Sequence, residues 1–512
     1  MLENFVQKIL KFLTSRFFLV AFILVSQLII LLSFILHLGI INHTIRNFLY
    51  IVNILVTLKV INRYSNTSYK LAWIIIILGL PLVGGITYLL FAERKVPKKL
   101  RGRIIYHLLE SRGLFPDNQI EIEDEDIKQI YSYLSKNGYY PYYQNTDCEY
   151  FKSGEEFFDS LLKKIKMAKK FIFIEFFIVK DGYMLETLTK ALKEKIDEGV
   201  KVYMLYDDGG SITCLPDNFD QKMHDLGIKV VPFSPVTFHL SLLSKANNRS
   251  HRKIIVIDNQ YGFTGGFNLA DEYINKIVRF GHWKDTGVFI NGEAVWNLTV
   301  MFIQFYNASV SEDEALNYYD FKLDTVNPKN TALYLPFSDS PTDSEDLART
   351  THLMMITHAK KYIYIHTPYL ILDYEITNAL SIAAKSGVEV IITVPHIPDK
   401  KTVFAVTRSN YNVLVKSGVK IYEYTPGFIH SKLVVMDDKL ALNGTFNMDY
   451  RSYYLNYECG ILIANDKEIA KMKSDYLETL KKSEEITLEK IQNTNIFVIL
   501  FRAILNVFAP LL

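Results

Sequence analysis

Two stretches of this chain repeat one another: His251 to Asn268 reads HRKIIVIDNQYGFTGGFN, and His430 to Asn447 reads HSKLVVMDDKLALNGTFN. Such self-similarity asks for the same supersecondary unit twice, which constrains the fold more than any figure of composition. The match extends outward. FIFIE at Phe171 returns as YIYIH at Tyr362, 191 residues on, and GIKVVPFSP at Gly227 returns as GVKIYEYTP at Gly418 with the same spacing. Between them each copy has an amphipathic stretch (Leu185 to Ile196, Ile376 to Lys385), a glycine suited to a helix C-cap (Gly199, Gly387) and a further apolar run, VKVYML or VEVIITV. After the histidines, DTGVFI at Asp285 returns as ECGILI at Glu458. The histidines themselves are 179 apart, so the first copy carries 12 extra residues, expected as a loop within Val236 to Ser250. Alternating strands and helices predict an α/β protein of two pseudo-symmetric α/β/α repeats, over 151–330 and 331–490, packed about a pseudo-two-fold axis.

Each copy has the pattern His-x-Lys-x4-Asp followed by Gly-(Gly/Thr)-Phe-Asn. On a strand, residues i and i+2 share a face, so His251 points with Lys253 and His430 with Lys432. Asp258 and Asp437 complete the candidate catalytic motif, but their odd spacing from the histidine turns them away, and they are expected to brace it rather than touch substrate. Gly265, Gly266 and Gly444 permit a close backbone approach. Asn268 and Asn447 can donate to a phosphate oxygen. Imidazole titrates near neutrality, so two histidines flanking a phosphodiester can divide the work. One attacks phosphorus, and the other protonates the leaving alcohol and deprotonates the incoming one. Lysines and asparagines stabilise the charge that develops. This cationic clamp takes the place of a metal, so no metal or other cofactor is expected, and no HExxH, DxDxDG or Cys/His cluster suggests one. Asp285 and Glu458 hold equivalent places and are expected to orient the histidine of their own half.

The ends of the chain are apolar. Residues 17–41 and 71–91 are uncharged runs long enough to span a bilayer, and 48–61 is a shorter apolar segment that fits a third span, a re-entrant piece or an interfacial helix. Residues 1–92 are therefore expected to be a membrane anchor. A basic juxtamembrane segment and linker follows over 93–150, with Arg94, Lys95, Lys98, Lys99, Arg101 and Arg103 at its start. The positive-inside rule puts that flank in the cytoplasm, Lys8, Lys11 and Arg16 put the N-terminus there too, and two spans satisfy both. The basic flank can also meet anionic headgroups. Residues 491–512 read as an apolar interfacial helix. Cys148, Cys214 and Cys459 form no framework or zinc pattern.

The paired motifs resemble the phospholipase D superfamily and, within it, the bacterial cardiolipin synthases. The likeness is also carried by AWIIIILGLPLVGGITYLLF, FIEFFIVKDG, YDDGGS, GHWKDT, IHTPYLILD, NGTFNMDYRS and NYE, and covers the chain from about residue 45 onward. Two departures are Lys284, where the family usually has arginine, and the extra apolar run before residue 42. The resemblance implies a ping-pong transfer between two phosphatidylglycerol molecules that yields cardiolipin and glycerol at a bacterial cell membrane. It also implies His251 as nucleophile and His430 as acid, a choice the nearly symmetric sequence does not make. A nuclease is disfavoured by the apolar ends and a net charge of only +2, so no nucleic-acid partner is expected. A phospholipid hydrolase or another phosphatidyltransferase differs only in the acceptor. A non-enzymatic lipid-binding scaffold has no use for two intact His/Lys/Asn sets.

Overall fold

The computed structural model describes residues 28–511 except 30, 39, 41, 64–65, 81, 93–95, 117–119, 237–246 and 344, and in it the repeat becomes two sheets of matching topology. The first half supplies β1 (Thr146–Phe151), β2 (Phe171–Phe176), β3 (Lys201–Asp207), β4 (Ile228–Phe233), β5 (Ile254–Ile257), β6 (Tyr261–Gly265), β7 (His282–Lys284) and β8 (Gly287–Gly292). The second supplies β9 (Leu333–Asp339), β10 (Tyr362–His366), β11 (Glu389–Pro395), β12 (Lys420–Tyr424), β13 (Gly427–Ile429), β14 (Leu433–Met436), β15 (Leu440–Gly444), β16 (Glu458–Ala464) and β17 (Ser483–Glu485). The first sheet runs β1-β8-β6-β5-β2-β3-β4; the second, from the matching edge, runs β9-β16-β15-β14-β10-β11-β12 and adds β17. Strands joined through helices pair in parallel, as β2 with β3 and β10 with β11, while the β5–β6 and β14–β15 hairpins are antiparallel. Every residue of β2 and β10 is buried, as their unbroken apolar runs require. The expected loop before His251 falls mostly outside the described residues.

The first sheet opens at Thr146, ahead of the boundary expected at 151, and the two repeats share a helix. Every residue from Val295 to Ala308 is buried in one helix, Val295–Ser309, which packs on β2, β4 and β5 of one sheet and β9 of the other. The Lys98–Ser111 helix lies along it, and Arg103 donates to the carbonyls of Asn307 (2.8 Å) and Val310 at its C-terminal end. Arg101 donates to Thr342 O at 3.1 Å. These two members of the basic flank are thus engaged by the folded repeats, while Lys98 and Lys99 stay exposed.

At the N-terminal end the structure corrects the expected span over 71–91. The chain forms a helix at Thr67–Gly79, leaves it at Leu80 and restarts at Gly84–Phe91. With 1.5 Å of rise per residue, neither piece reaches the ~30 Å of a hydrocarbon core. A Cβ on Gly84 would lie 2.5 Å from Ile77 Cα, so glycine lets the second piece fold back on the first. The apolar segment at 48–61 instead belongs to a 20-residue helix, His43–Asn62, the one helix among the described residues long and apolar enough to cross a membrane. Its buried Asn53 accepts from Gly85 N–H at 2.8 Å, tying the three helices together. The expected span at 17–41 lies mostly outside the described residues. The C-terminal helix, Ile496–Val507, packs along the Lys401–Ser409 helix.

Candidate active site

Each histidine motif leads into a sheet strand, β5 or β14, and is held there by the opposite half. His251 N–H donates to Tyr457 O at 2.8 Å, and Tyr457 N–H returns to Arg249 O at 2.9 Å. His430 N–H donates to Lys284 O at 2.7 Å, where β13 runs parallel to β7. Tyr457 and Lys284 immediately precede Glu458 and Asp285. The backbone clamp therefore delivers each carboxylate across the interface: His251 Nδ1 lies 2.8 Å from Glu458 Oε2, and His430 Nδ1 lies 2.6 Å from Asp285 Oδ2. The own-half pairing expected from the sequence is thus corrected. Repeat equivalence finds the two carboxylates, but the exchange arises from the way the halves interlock.

Both carboxylates are fully buried. Burial pushes them up, yet the facing histidine, the nearby lysine and donated hydrogen bonds prevail and hold both below the ordinary range. Burial also dominates at the histidines, lowering His251 to about 4 and His430 to about 3 against the pull of their carboxylates. A neutral ring that gives its Nδ1–H to a carboxylate presents a lone pair on Nε2, the form needed by a nucleophile or base. Burial lowers Lys253 to about 8 and Lys432 to about 7. Lys432 lowers the pKa of His251 and Lys253 that of His430, so the half-sites share one field.

His251, His430, Asn268 and Asn447 line one cleft of about 360 Å³. Lys253 and Lys432 are buried beside it, each Nζ donating to the carbonyl of its own histidine, at 2.7 Å for Lys253. Asn268 accepts from Ile178 N–H at 3.0 Å and donates to Tyr273 Oη at 2.5 Å, while Asn447 Oδ1 is buried without a hydrogen-bond partner among the described residues. Asp258 and Asp437 are not brought to the cleft. Each sits past the far end of its strand at φ 54° or 53°. Asp258 accepts from the backbone N–H groups of Lys169, Lys170 and Phe171, and Asp437 from those of Lys360, Lys361 and Tyr362, at 2.6–2.8 Å. They pin the motif hairpin to the neighbouring strand, which is the bracing that their spacing suggested. Gly265 and Gly444 stand where a Cβ would lie 2.5 Å from Gly287 Cα and Gly460 Cα.

Sequence reasoning missed the aromatic wall around His430, whose ring centroid lies 5.4 Å from Tyr273, 5.4 Å from Trp283 and 5.8 Å from Phe428. It also missed Asp449, a cleft residue that burial raises to about 6. Trp283 two residues before Asp285 and Asp449 two after Asn447 were the available signals. Lys284, the departure from the family's arginine, is buried and donates to both Asp475 oxygens at 2.8 and 2.7 Å, a tie between the halves.

Two interlocked α/β repeats that bring paired His, Lys and Asn sets to one cleft define the phospholipase D class of fold and site. A family model described as "Cardiolipin synthase, PLD-like domain" matches residues 161–292 and 353–480, and a "Phospholipase_D-nuclease N-terminal" model matches 51–93. The chain belongs to the cardiolipin synthase family. It is 34% identical to a cardiolipin synthase of Alkalihalophilus pseudofirmus over 88% of this chain and 90% of the relative. It is 33% identical to one of Staphylococcus aureus over 90% and 95%. An uncharacterized protein of Streptococcus mutans is 36% identical over 89% and 99%. Among solved structures, phosphatidylserine synthase of Haemophilus influenzae superposes with a TM-score of 0.57 at 15% identity, covering 75% of this chain and 98% of that one, a likeness of fold.

Proposed function

We propose that this chain is a cardiolipin-forming phosphatidyltransferase, which moves a phosphatidyl group from one phosphatidylglycerol to another and releases glycerol. The observation that carries the reading is the pair of exchanged His–carboxylate couples on one cleft, in a chain aligned nearly end to end with proteins named cardiolipin synthase. His251 is assigned the attack: its Nε2 lone pair forms a P–N bond as the P–O bond to glycerol breaks, and His430 Nε2–H protonates the departing oxygen. The hydroxyl of a second phosphatidylglycerol then gives its proton to His430, and its oxygen attacks phosphorus as the P–N bond breaks. Lys253 and Lys432 offset the charge on the phosphoryl oxygens, and Asn268 and Asn447 donate N–H hydrogen bonds to them. The anionic phosphate offsets the burial that depresses His430 and the lysines and favours their charged forms. Asp258 and Asp437 hold the frame.

In this reading residues 1–92 anchor the chain in a bacterial cell membrane, with spans at 17–41 and His43–Asn62 and the Thr67–Phe91 pair re-entering beside them. Two spans keep both the N-terminus and the catalytic repeats on the cytoplasmic side, in line with the basic flank that follows residue 93. The apolar C-terminal segment, 491–512, lies at the interface. Phosphatidylglycerol labelled in its headgroup and, separately, in its acyl chains tests the reaction. A tetra-acyl product with released glycerol is expected; phosphatidic acid alone would make the chain a hydrolase. Protease digestion of sealed membranes from each side tests the topology, with cleavage in the repeats expected only from the cytoplasmic face.

A further inference from the structure

We infer that the C-terminal helix is the sill over which phospholipid enters the catalytic cleft, its outer face lying in the leaflet that supplies the substrate. The inference rests on the lipid-transfer reading and adds to it a route and the residues that form it.

The helix Ile496–Val507 turns only a narrow stripe inward. Arg502, Leu505 and, just past its end, Ala509 stand at i, i+3 and i+7, and Leu505 and Ala509 pack with Ile371, Val406 and Tyr450. The described residues leave the rest of its apolar surface uncovered: Ile496 is 68% exposed, Phe497 77%, Leu500 58% and Phe501 52%. A helix docked on a water-soluble core buries its broad apolar face and turns charge outward. Here the order is reversed, and Arg502, the one charged residue of the helix, sits on the packed side.

What lies at the end of the helix identifies the occupant of that face. Ala509 lines the same cleft as His251 and His430, together with Ile371, Val403 and Tyr450. The turn at Ala509–Leu511 also packs on the Thr67–Gly79 helix, which exposes Leu71, Ile75 and Leu78 and rests against His43–Asn62. The C-terminal turn and the Thr67–Gly79 helix thus meet at the rim of the cleft. Among the described residues, exposed apolar side chains therefore stand near the cleft rim on two helices, Leu71, Ile75 and Leu78 on one and Ile496, Phe497, Leu500 and Phe501 on the other. Lys400, exposed on the same rim, supplies a cation that can meet a headgroup phosphate entering the cleft. An amphiphile with acyl chains on the apolar face and a phosphate at the cleft matches this layout; a second copy of the chain explains the face but not its placement beside the histidine cleft that Ala509 lines.

The full chain in nanodiscs of phosphatidylglycerol and phosphatidylethanolamine tests this. Spin labels are placed at Phe497→Cys, at Leu500→Cys and, as a control, at the exposed Glu484→Cys, in a Cys214→Ser background; Cys148 and Cys459 are buried. Positions 497 and 500 should relax preferentially with lipid-soluble oxygen and position 484 with a water-soluble nickel chelate. Nickel access at 497 and 500 overturns the inference, and so does protection from both reagents, which marks a protein interface. In the second arm, joint substitution of Phe497, Leu500 and Phe501 by Gln should cut the rate on bilayer phosphatidylglycerol by about tenfold. It should leave the rate on short-chain, monomerically dispersed phosphatidylglycerol unchanged. Equal losses on both lipids, or none on either, overturn the sill. A wild-type chain that makes cardiolipin from neither lipid defeats the transfer reading, while the spin labels still decide where the helix lies.

Discussion

Beside His251 the first repeat buries an ion pair; at the equivalent place beside His430 the second buries none. Glu175 ends β2 and takes Arg252 in a two-point grip, at 3.0 and 2.6 Å, with Ser250 Oγ as a further donor at 2.8 Å. The Arg252 guanidinium also lies 3.6 Å over the Phe305 ring. In the second repeat these places are held by His366 and Ser431, 3.4 Å apart, with the imidazole stacked at 4.3 Å on Tyr476 and kept neutral by burial. The carboxylates differ as well. Asp285 is short, and Gly266 makes room for it, since a Cβ there would lie 2.0 Å from its Oδ1. Glu458 is longer and meets Thr445 Oγ1 instead, with Ser452 and Asn456 donating at 2.9 and 3.2 Å. Two foundations, one a buried ion pair and the other neutral, thus support nearly the same His–carboxylate couple. The chemistry constrains the couple, and the packing beneath each copy has been free to diverge.

The sharpest way to break the comparison is to neutralise the carboxylates one at a time. Asp285→Asn should disturb the ring of His430, and Glu458→Gln that of His251, as read from imidazole nitrogen resonances. Each should lower kcat by up to about 10⁴-fold through the wrong tautomer; a disturbance in the same-half histidine would refute the exchange. Next comes the buried pair. Glu175→Gln strands Arg252 and should cost about 3–5 kcal/mol, whereas His366→Gln should cost about 1 kcal/mol, compared by thermal unfolding in detergent. Equal losses would mean that the foundations are energetically alike after all. Thr445→Val removes one donor from ionised Glu458 and should cost about 1.5–3 kcal/mol of support for His251, seen as slower phosphohistidine formation in single turnovers with His430 chemistry unaffected.

The smallest expected difference is between the lysines. Lys432, lowered to about 7, gives up its proton before Lys253, lowered to about 8. Their charge is present below those values and lost above them, so kcat/KM should fall on the alkaline side from near neutrality. Saturating lipid, whose phosphate raises both lysines, should move the limb of kcat to higher pH. A pH–rate profile flat through this range would show that the lysines do not carry the charge that the reaction needs.

Much of this was legible in the sequence, and the reasons are specific. The His, Lys and Asn positions follow from a motif repeated in register, and the twin α/β units follow from the alternation of β-runs and amphipathic stretches, whereas the strand order within each sheet had no sequence signal. The role of Asp258 and Asp437 followed from an odd spacing on a strand. The exchange of Asp285 and Glu458 was not legible, because three-residue strands such as β7 and β13 and the bridge between Ser250 and Tyr457 carry no periodic signal. The Val295–Ser309 helix is uncharged, with Asn297, Thr299, Gln304 and Asn307 scattered among its apolar residues, and nothing in its pattern says that every face is buried or which sheet it serves. Hydropathy over 71–91 sees only apolar residues and is blind to the fold-back that Gly84 allows.

The exchanged carboxylates also set how errors spread through this molecule. Because each imidazole is oriented by the other repeat, damage at Asp285 is felt as a fault at His430 and damage at Glu458 as a fault at His251. Neither repeat can be judged sound from its own residues. A fragment holding one intact motif possesses a histidine without its orienting partner, and function is a property of the seam rather than of either piece.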